Sequence, residues 1–118
     1  MGRALTPTQA ERKIENAVSK YAESKGWLAF KFVSPGESGV PDHQYMQHGW
    51  MFFIEFKAPG EEPDERQLYQ HRRIQTKGGH IVFIVDNIEQ GRYAIDQMTE
   101  RLVQVKRAVL QKRLEEAS

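Results

Sequence analysis

The stretch Gly39-Val40-Pro41-Asp42-His43-Gln44-Tyr45-Met46-Gln47-His48-Gly49-Trp50-Met51-Phe52-Phe53-Ile54-Glu55-Phe56-Lys57 decides how this chain folds. Asp42 to Gln47 and Trp50 to Lys57 read as two strands joined at His48-Gly49, where glycine supplies the positive φ of a tight hairpin. A two-residue turn pairs Gln47 with Trp50, and counting outward from that pair brings Asp42 opposite Glu55. Opposed residues on antiparallel strands point to one face with Cβ atoms about 5 Å apart, where like charges destabilise. A bound divalent cation removes the conflict. The period-two alternation of a strand puts Lys57 on the same face as the carboxylates and turns Phe56 into the core with Phe52 and Ile54.

Outward from the hairpin, both flanks read as regular elements. Thr6-Pro7-Thr8-Gln9 combines an N-cap hydroxyl, a proline at the first helical position and a glutamine at the third, so a helix starts there. Ile14, Ala17, Val18, Tyr21 and Ala22 form its apolar stripe, and Gly26 fits its stop. Trp27 to Val33, rich in aromatic and branched residues, predicts a strand that ends at Ser34-Pro35-Gly36. Downstream, Asp64-Glu65-Arg66-Gln67 is a second cap for a helix to about Lys77. His80 to Val85 is nearly continuous in apolar residues, the pattern of a strand buried on both faces.

The element order is therefore helix, three strands, helix, strand, in an α/β domain of about residues 8–96. From Ile88 onward the pattern is helical, and its part beyond the domain is a C-terminal helix of about residues 97–116. Its residues Ile95, Met98, Leu102, Val105 and Val109 alternate spacings of three and four, a coiled-coil-like seam. The seam either packs on the domain's own sheet or, in its distal part, pairs with a second protomer.

Composition narrows the chemistry. The 118 residues form one domain, 1–118, with no second core expected. Zero cysteines exclude disulfides, thiolate metal sites and cysteine nucleophiles, leaving oxygen or imidazole ligands for any metal. Seventeen Lys and Arg against sixteen acids give a formal charge of +1, too little to announce nucleic-acid binding by total charge. Met1 to Pro7 lack the apolar core of a secretory signal, and no stretch has the length and apolarity of a membrane helix. A cytoplasmic protein with no membrane partner is the expectation, its host bacterial or phage-infected.

Two carboxylates on adjacent strands supply hard oxygen ligands suited to Mg²⁺ or Mn²⁺, with positions left for water and a phosphate oxygen. A lysine beside them orients that water or stabilises charge developing on the phosphate. Any single Glu-x-Lys is weak evidence, and aspartate after proline is common in turns. The combination of Pro-Asp and Glu-x-Lys on one hairpin is far more specific.

At these residues the chain resembles the PD-(D/E)xK nuclease superfamily and, within it, the virus-type replication-repair nuclease (VRR-NUC) family. The matching landmarks are Ile14-Glu15, Phe30-Lys31-Phe32-Val33-Ser34-Pro35-Gly36, Gly39-Val40-Pro41-Asp42, Phe53-Ile54-Glu55-Phe56-Lys57-Ala58-Pro59-Gly60 and Gln67, within about Glu11 to Asp96. The resemblance implies a restriction-endonuclease-like core, a mixed central sheet flanked by helices. It implies hydrolysis of DNA phosphodiesters with Mg²⁺ or Mn²⁺ and, for stand-alone members of this size, homodimers acting on branched DNA such as the four-way junctions of repair. It further implies that Asp42, Glu55, the Phe56 backbone carbonyl and Glu15 serve the metal, with Lys57 catalytic and Gln67 beside the site. Glu11 is the alternative to Glu15 on the same helix face, and Gln67 equally fits a capping role.

Lys31 and Ser34 match the family segment before the catalytic loop and are candidates for phosphate contact, as are Arg72, Arg73 and Lys77 around the second helix. His71 belongs to the same positive cluster. The chain departs from the family pattern at His43 and in Gln44-Tyr45-Met46-Gln47. A zinc site from His43 and His48 is disfavoured, since His43 points away from Asp42's face and His48 sits in the turn, so turn chemistry or surface exposure accounts for both. Two rival functions are a DNA-binding module that keeps the fold without catalysis and a protein-interaction domain built on the C-terminal helix.

Overall fold

A computed structural model describes residues 4–118; residues 1–3, the start of the segment read for a leader, lie outside the described residues. The elements run α1 (Pro7–Ser24), β1 (Leu28–Lys31), β2 (His43–Gln47), β3 (Trp50–Phe56), α2 (Glu65–Thr76), β4 (Val82–Val85) and α3 (Ile88–Ala117). Both expected caps form. The Thr6 hydroxyl accepts from the Gln9 N–H at 3.2 Å while the Gln9 side chain accepts from the Thr6 N–H at 2.9 Å. Asp64 and Gln67 make the same reciprocal pair at the head of α2.

The sheet has the order β1-β2-β3-β4, antiparallel through β3 and parallel between β3 and β4. It is thus the mixed sheet of an α/β domain. The β2–β3 register pairs Gln47 with Trp50 and His43 with Ile54, and His48 and Gly49 both take positive φ at the turn. That is the register and turn that the sequence predicts.

Alternation along the central strands sorts the two faces. Tyr45, Phe52, Ile54, Phe56 and Val85 join Ile14, Val18 and Ala22 of α1 and Ile95, Met98 and Leu102 of α3 in one core. Trp27 enters the same core edge-on to Phe52, and its indole N–H donates to the Thr99 hydroxyl at 3.0 Å. The odd-numbered residues of β3 turn to the other face, where α2 lies. The helix pair α1/α3, the sheet and α2 form three layers.

One expectation needs correction. The run His80–Val85 was predicted to be buried on both faces, yet β4 is an edge strand and Ile84 is 45% exposed. Its apolar run is used on the core face, where Val85 is buried, while α2 covers only part of the opposite face. The α3 seam also divides: Ile95, Met98 and Leu102 are buried in the domain's own core, whereas Val109, Leu110 and Leu114 are exposed.

Candidate active site

The catalytic candidates gather where β1 and β3 end and β2 begins. Pro41 precedes β2, and the Asp42 carbonyl accepts from the Phe32 N–H at 2.7 Å, which fixes Asp42 between β1 and β3. The β2–β3 pairing ends at His43–Ile54; Asp42 precedes that pair on one strand and Glu55 follows it on the other. Lys57 follows at the end of β3, where its backbone N–H donates to the Val85 carbonyl at 2.8 Å.

Phe56 contributes through its main chain as well as its ring. Odd-numbered residues of β3 bond toward β4, as Phe53 does to the Ile81 carbonyl at 2.9 Å and Lys57 does to Val85. The polar groups of Phe56 therefore face β2. Continuing the register puts Pro41 opposite, and proline has no N–H to donate. The Phe56 carbonyl is left without a strand donor beside the two carboxylates.

Helix α1 delivers two more acids, Glu11 and Glu15, which share one helix face at a spacing of four. Glu15 Oε2 lies 3.9 Å from Lys31 Nζ and 3.8 Å from His43 Nε2. Lys31 Nζ is also 3.9 Å from Asp42 Oδ2, so this lysine stands between the two carboxylates. Partial burial, with Glu15 next, raises the Glu11 carboxyl above its ordinary range; Lys57 opposes the rise, while Glu55 and Glu61 add to it. Glu15, Glu55, Glu61 and Lys57 thus all act on the Glu11 carboxyl.

Asp42 is shifted the other way. The hydrogen bond from His43 holds its carboxyl below the usual aspartate range, against the effect of burial and with help from Lys31. His43 was expected to sit in a turn or on the surface, away from Asp42. Its ring does occupy the opposite sheet face, but it is buried edge-on against Phe56, and its Nδ1 lies 2.7 Å from Asp42 Oδ1 because the carboxylate reaches round the start of the strand.

His71 is a second correction. Counted from sequence among the surface charges of α2, it is 4% exposed, with Nε2 at 3.1 Å from Glu55 Oε1. Sequence reasoning missed both contacts. The signal available was the unusual His43 after Pro-Asp, and for His71 the position four residues after Gln67 on the face of α2 that meets the sheet.

The remaining candidates fall at varied distances from the acids. Ser34 and Asp42 line one open cleft of about 430 Å³ between Val33 and Val40. Gln67 is engaged in the cap of α2; the glutamine that reaches the catalytic loop is Gln70, whose amide donates to Glu37 Oε2 at 3.0 Å and to the Ser38 carbonyl at 3.2 Å. Arg73 donates to Gln70 Oε1 at 3.1 Å and lies 3.6 Å from Glu37, and Arg66 bonds Ser38 at 3.2 Å, so these arginines fasten the loop to α2. Arg72 and Lys77 are exposed and, among the described residues, make no salt bridge.

The donor set suits a hard cation. The Asp42 and Glu55 carboxylates and the Phe56 carbonyl would offer an ion oxygen donors only. Among the described residues, no three His, Cys, Asp or Glu side chains are gathered closely enough to hold an ion by themselves. Such a partial set matches Mg²⁺ or Mn²⁺, which retain water and take substrate phosphate as further ligands. It does not match a closed structural zinc site.

No family model matches the chain. Over 78 residues, spanning 65% of this chain and 83% of the relative, it is 41% identical to the protein named "Putative nuclease p44" of Acyrthosiphon pisum secondary endosymbiont phage 1. It is also similar to a solved structure of a VRR_NUC domain, with 30% identity, a TM-score of 0.67 and coverage of 74% of this chain and 95% of that one. By these likenesses the chain belongs to the VRR-NUC family of nucleases.

Proposed function

We propose that the chain is a divalent-metal-dependent DNA endonuclease that hydrolyses phosphodiester bonds. The observation that supports this reading is the hairpin register, which ends at His43–Ile54 and, continued by one pair, brings Asp42 opposite Glu55 with Lys57 two residues farther along the strand. Asp42, Glu55 and the Phe56 carbonyl hold the ion, and Glu15 of α1 acts from farther out through its contacts with Lys31 and His43. A bound Mg²⁺ or Mn²⁺ supplies Lewis-acid polarisation of the phosphate and an acidified water. Lys57 places its ammonium beside the carboxylates, where it orients the attacking water and stabilises negative charge on the phosphate.

Around this centre, Lys31 and Ser34 border the approach of a phosphate, and Arg72 and Lys77 offer unpaired charge to the backbone farther out. The low net charge favours recognition of DNA shape over general affinity, which fits branched DNA such as four-way junctions. The exposed distal apolar residues of α3 support a homodimer that sets two sites on one substrate.

The test is incubation of labelled four-way junction, flap and linear duplex DNA with the protein in Mg²⁺, Mn²⁺ or EDTA. Metal-dependent cleavage, strongest on the junction, is expected. DNA binding without cleavage under any condition would leave the fold as a binding module.

A further inference from the structure

We propose that His43 and His71 are paired positioning residues, each holding one of the two carboxylates Asp42 and Glu55 by a single oxygen so that the other oxygen remains available to a hard divalent cation. The inference rests on the metal-nuclease reading above and assigns roles to two residues outside its ligand set.

The geometry is alike at both ends. His43 Nδ1 lies 2.7 Å from Asp42 Oδ1, and His71 Nε2 lies 3.1 Å from Glu55 Oε1. An ionised carboxylate has no proton to give, so each ring N–H is the donor. One oxygen of each acid is engaged in this way. Asp42 Oδ2 keeps only the longer approach of Lys31 at 3.9 Å, and Glu55 Oε2 makes no hydrogen bond among the described residues.

The two histidines come from different elements on opposite faces of the sheet. His43 stands on β2 against the Phe56 ring, and His71 stands on α2. Both are buried, at 6% and 4% exposure. A buried imidazole needs a hydrogen-bond partner, but packing alone would accept any carbonyl nearby. Both rings instead reach the two acids, Asp42 and Glu55, that flank the terminal His43–Ile54 pair of the hairpin. A donor fixed by packing locks the rotation of its carboxylate, so the ligand does not have to be ordered when the ion arrives. Outer partners of this type typically set metal affinity by about 10–100-fold.

The experiment measures Mn²⁺ affinity of the full chain from the electron paramagnetic resonance signal of free Mn²⁺, with folding checked by circular dichroism and thermal melting. His43→Phe keeps the ring against Phe56 and removes the donor; His71→Leu does the same for the α2 pair. Each should weaken Mn²⁺ binding by about 10–100-fold. His43→Asn and His71→Gln set an amide N–H near the lost Nδ1 and Nε2, and should bind within a few-fold of wild type. If the apolar variants fail to fold, His43→Gln and His71→Asn, polar but with the wrong reach, take their place and should bind weakly. Folded variants without a fitted donor that bind Mn²⁺ like wild type would overturn the proposal and leave both rings as packing. A wild type that takes up no Mn²⁺ would overturn the metal-nuclease reading itself, a result the variants cannot mimic.

Discussion

Gly91 of α3 lies directly against the side chain of Val18 of α1, so closely that a single added Cβ would overlap the valine methyls. The crossing of the two helices depends on that missing side chain. Gly91→Ala gains about 1 kcal/mol of helix propensity but overpacks the core by about 1–3 kcal/mol. A melting temperature lowered by several degrees is expected, and adding Val18→Ala should return part of the loss. A Gly91→Ala protein melting above wild type would show that the helices cross with room to spare.

The two halves of α3 answer different tests. Leu102, once part of the expected dimer seam, is 4% exposed in the protein's own core, and Leu102→Glu should simply unfold the domain. Val109 and Leu114 are 46% and 58% exposed. Replacing both with glutamate should halve the sedimentation mass and leave the melting temperature unchanged if α3 joins two protomers. An unaltered mass would remove the distal helix from any dimer contact.

Tyr45 provides the test in alkali. Burial pushes its hydroxyl up to about 12, against the lowering effect of its hydrogen bond with Ser19. An unfolded tyrosine ionises near about 10. Between those values the unfolded chain binds fewer protons than the folded one, so stability declines as pH rises through the window. Tyr45→Phe should flatten this alkaline decline in melts followed from pH 9 upward, and an undiminished slope would place its cause elsewhere.

Much of this arrangement was legible in the sequence because local chemistry dictated it. The caps at Thr6 and Asp64 and the His48-Gly49 turn are set by neighbouring residues, and the turn in turn fixes the register from Gln47–Trp50 to His43–Ile54. What stayed hidden depends on tertiary layering. An apolar run such as His80–Val85 has one pattern whether the second face is covered or open, and here Ile84 is open. His43 and His71 read as polar surface residues because burial of an imidazole is decided by partners distant in sequence, Phe56 and Glu55. The same holds for Arg73, which reads as a candidate phosphate contact and lies 3.6 Å from Glu37.

That division between free and engaged cations separates two arginine variants. Arg72→Ala should weaken binding to all DNA shapes alike and reduce the slope of log affinity against log salt by about one. Arg73→Ala should act differently, loosening the loop at Glu37 and slowing cleavage more than it weakens binding. Equal salt slopes for wild type and Arg72→Ala would remove Arg72 from the DNA contact.

The central claim, that Lys57 completes a catalytic centre with Asp42 and Glu55, is tested most directly by single-turnover cleavage of labelled DNA in Mn²⁺ by wild type and Lys57→Ala, with Mn²⁺ affinity measured on both. The account predicts cleavage slowed by at least about 10²–10³-fold with metal affinity retained, because the ammonium serves the water and phosphate and the carboxylates hold the ion. Cleavage by Lys57→Ala at the wild-type rate would contradict it.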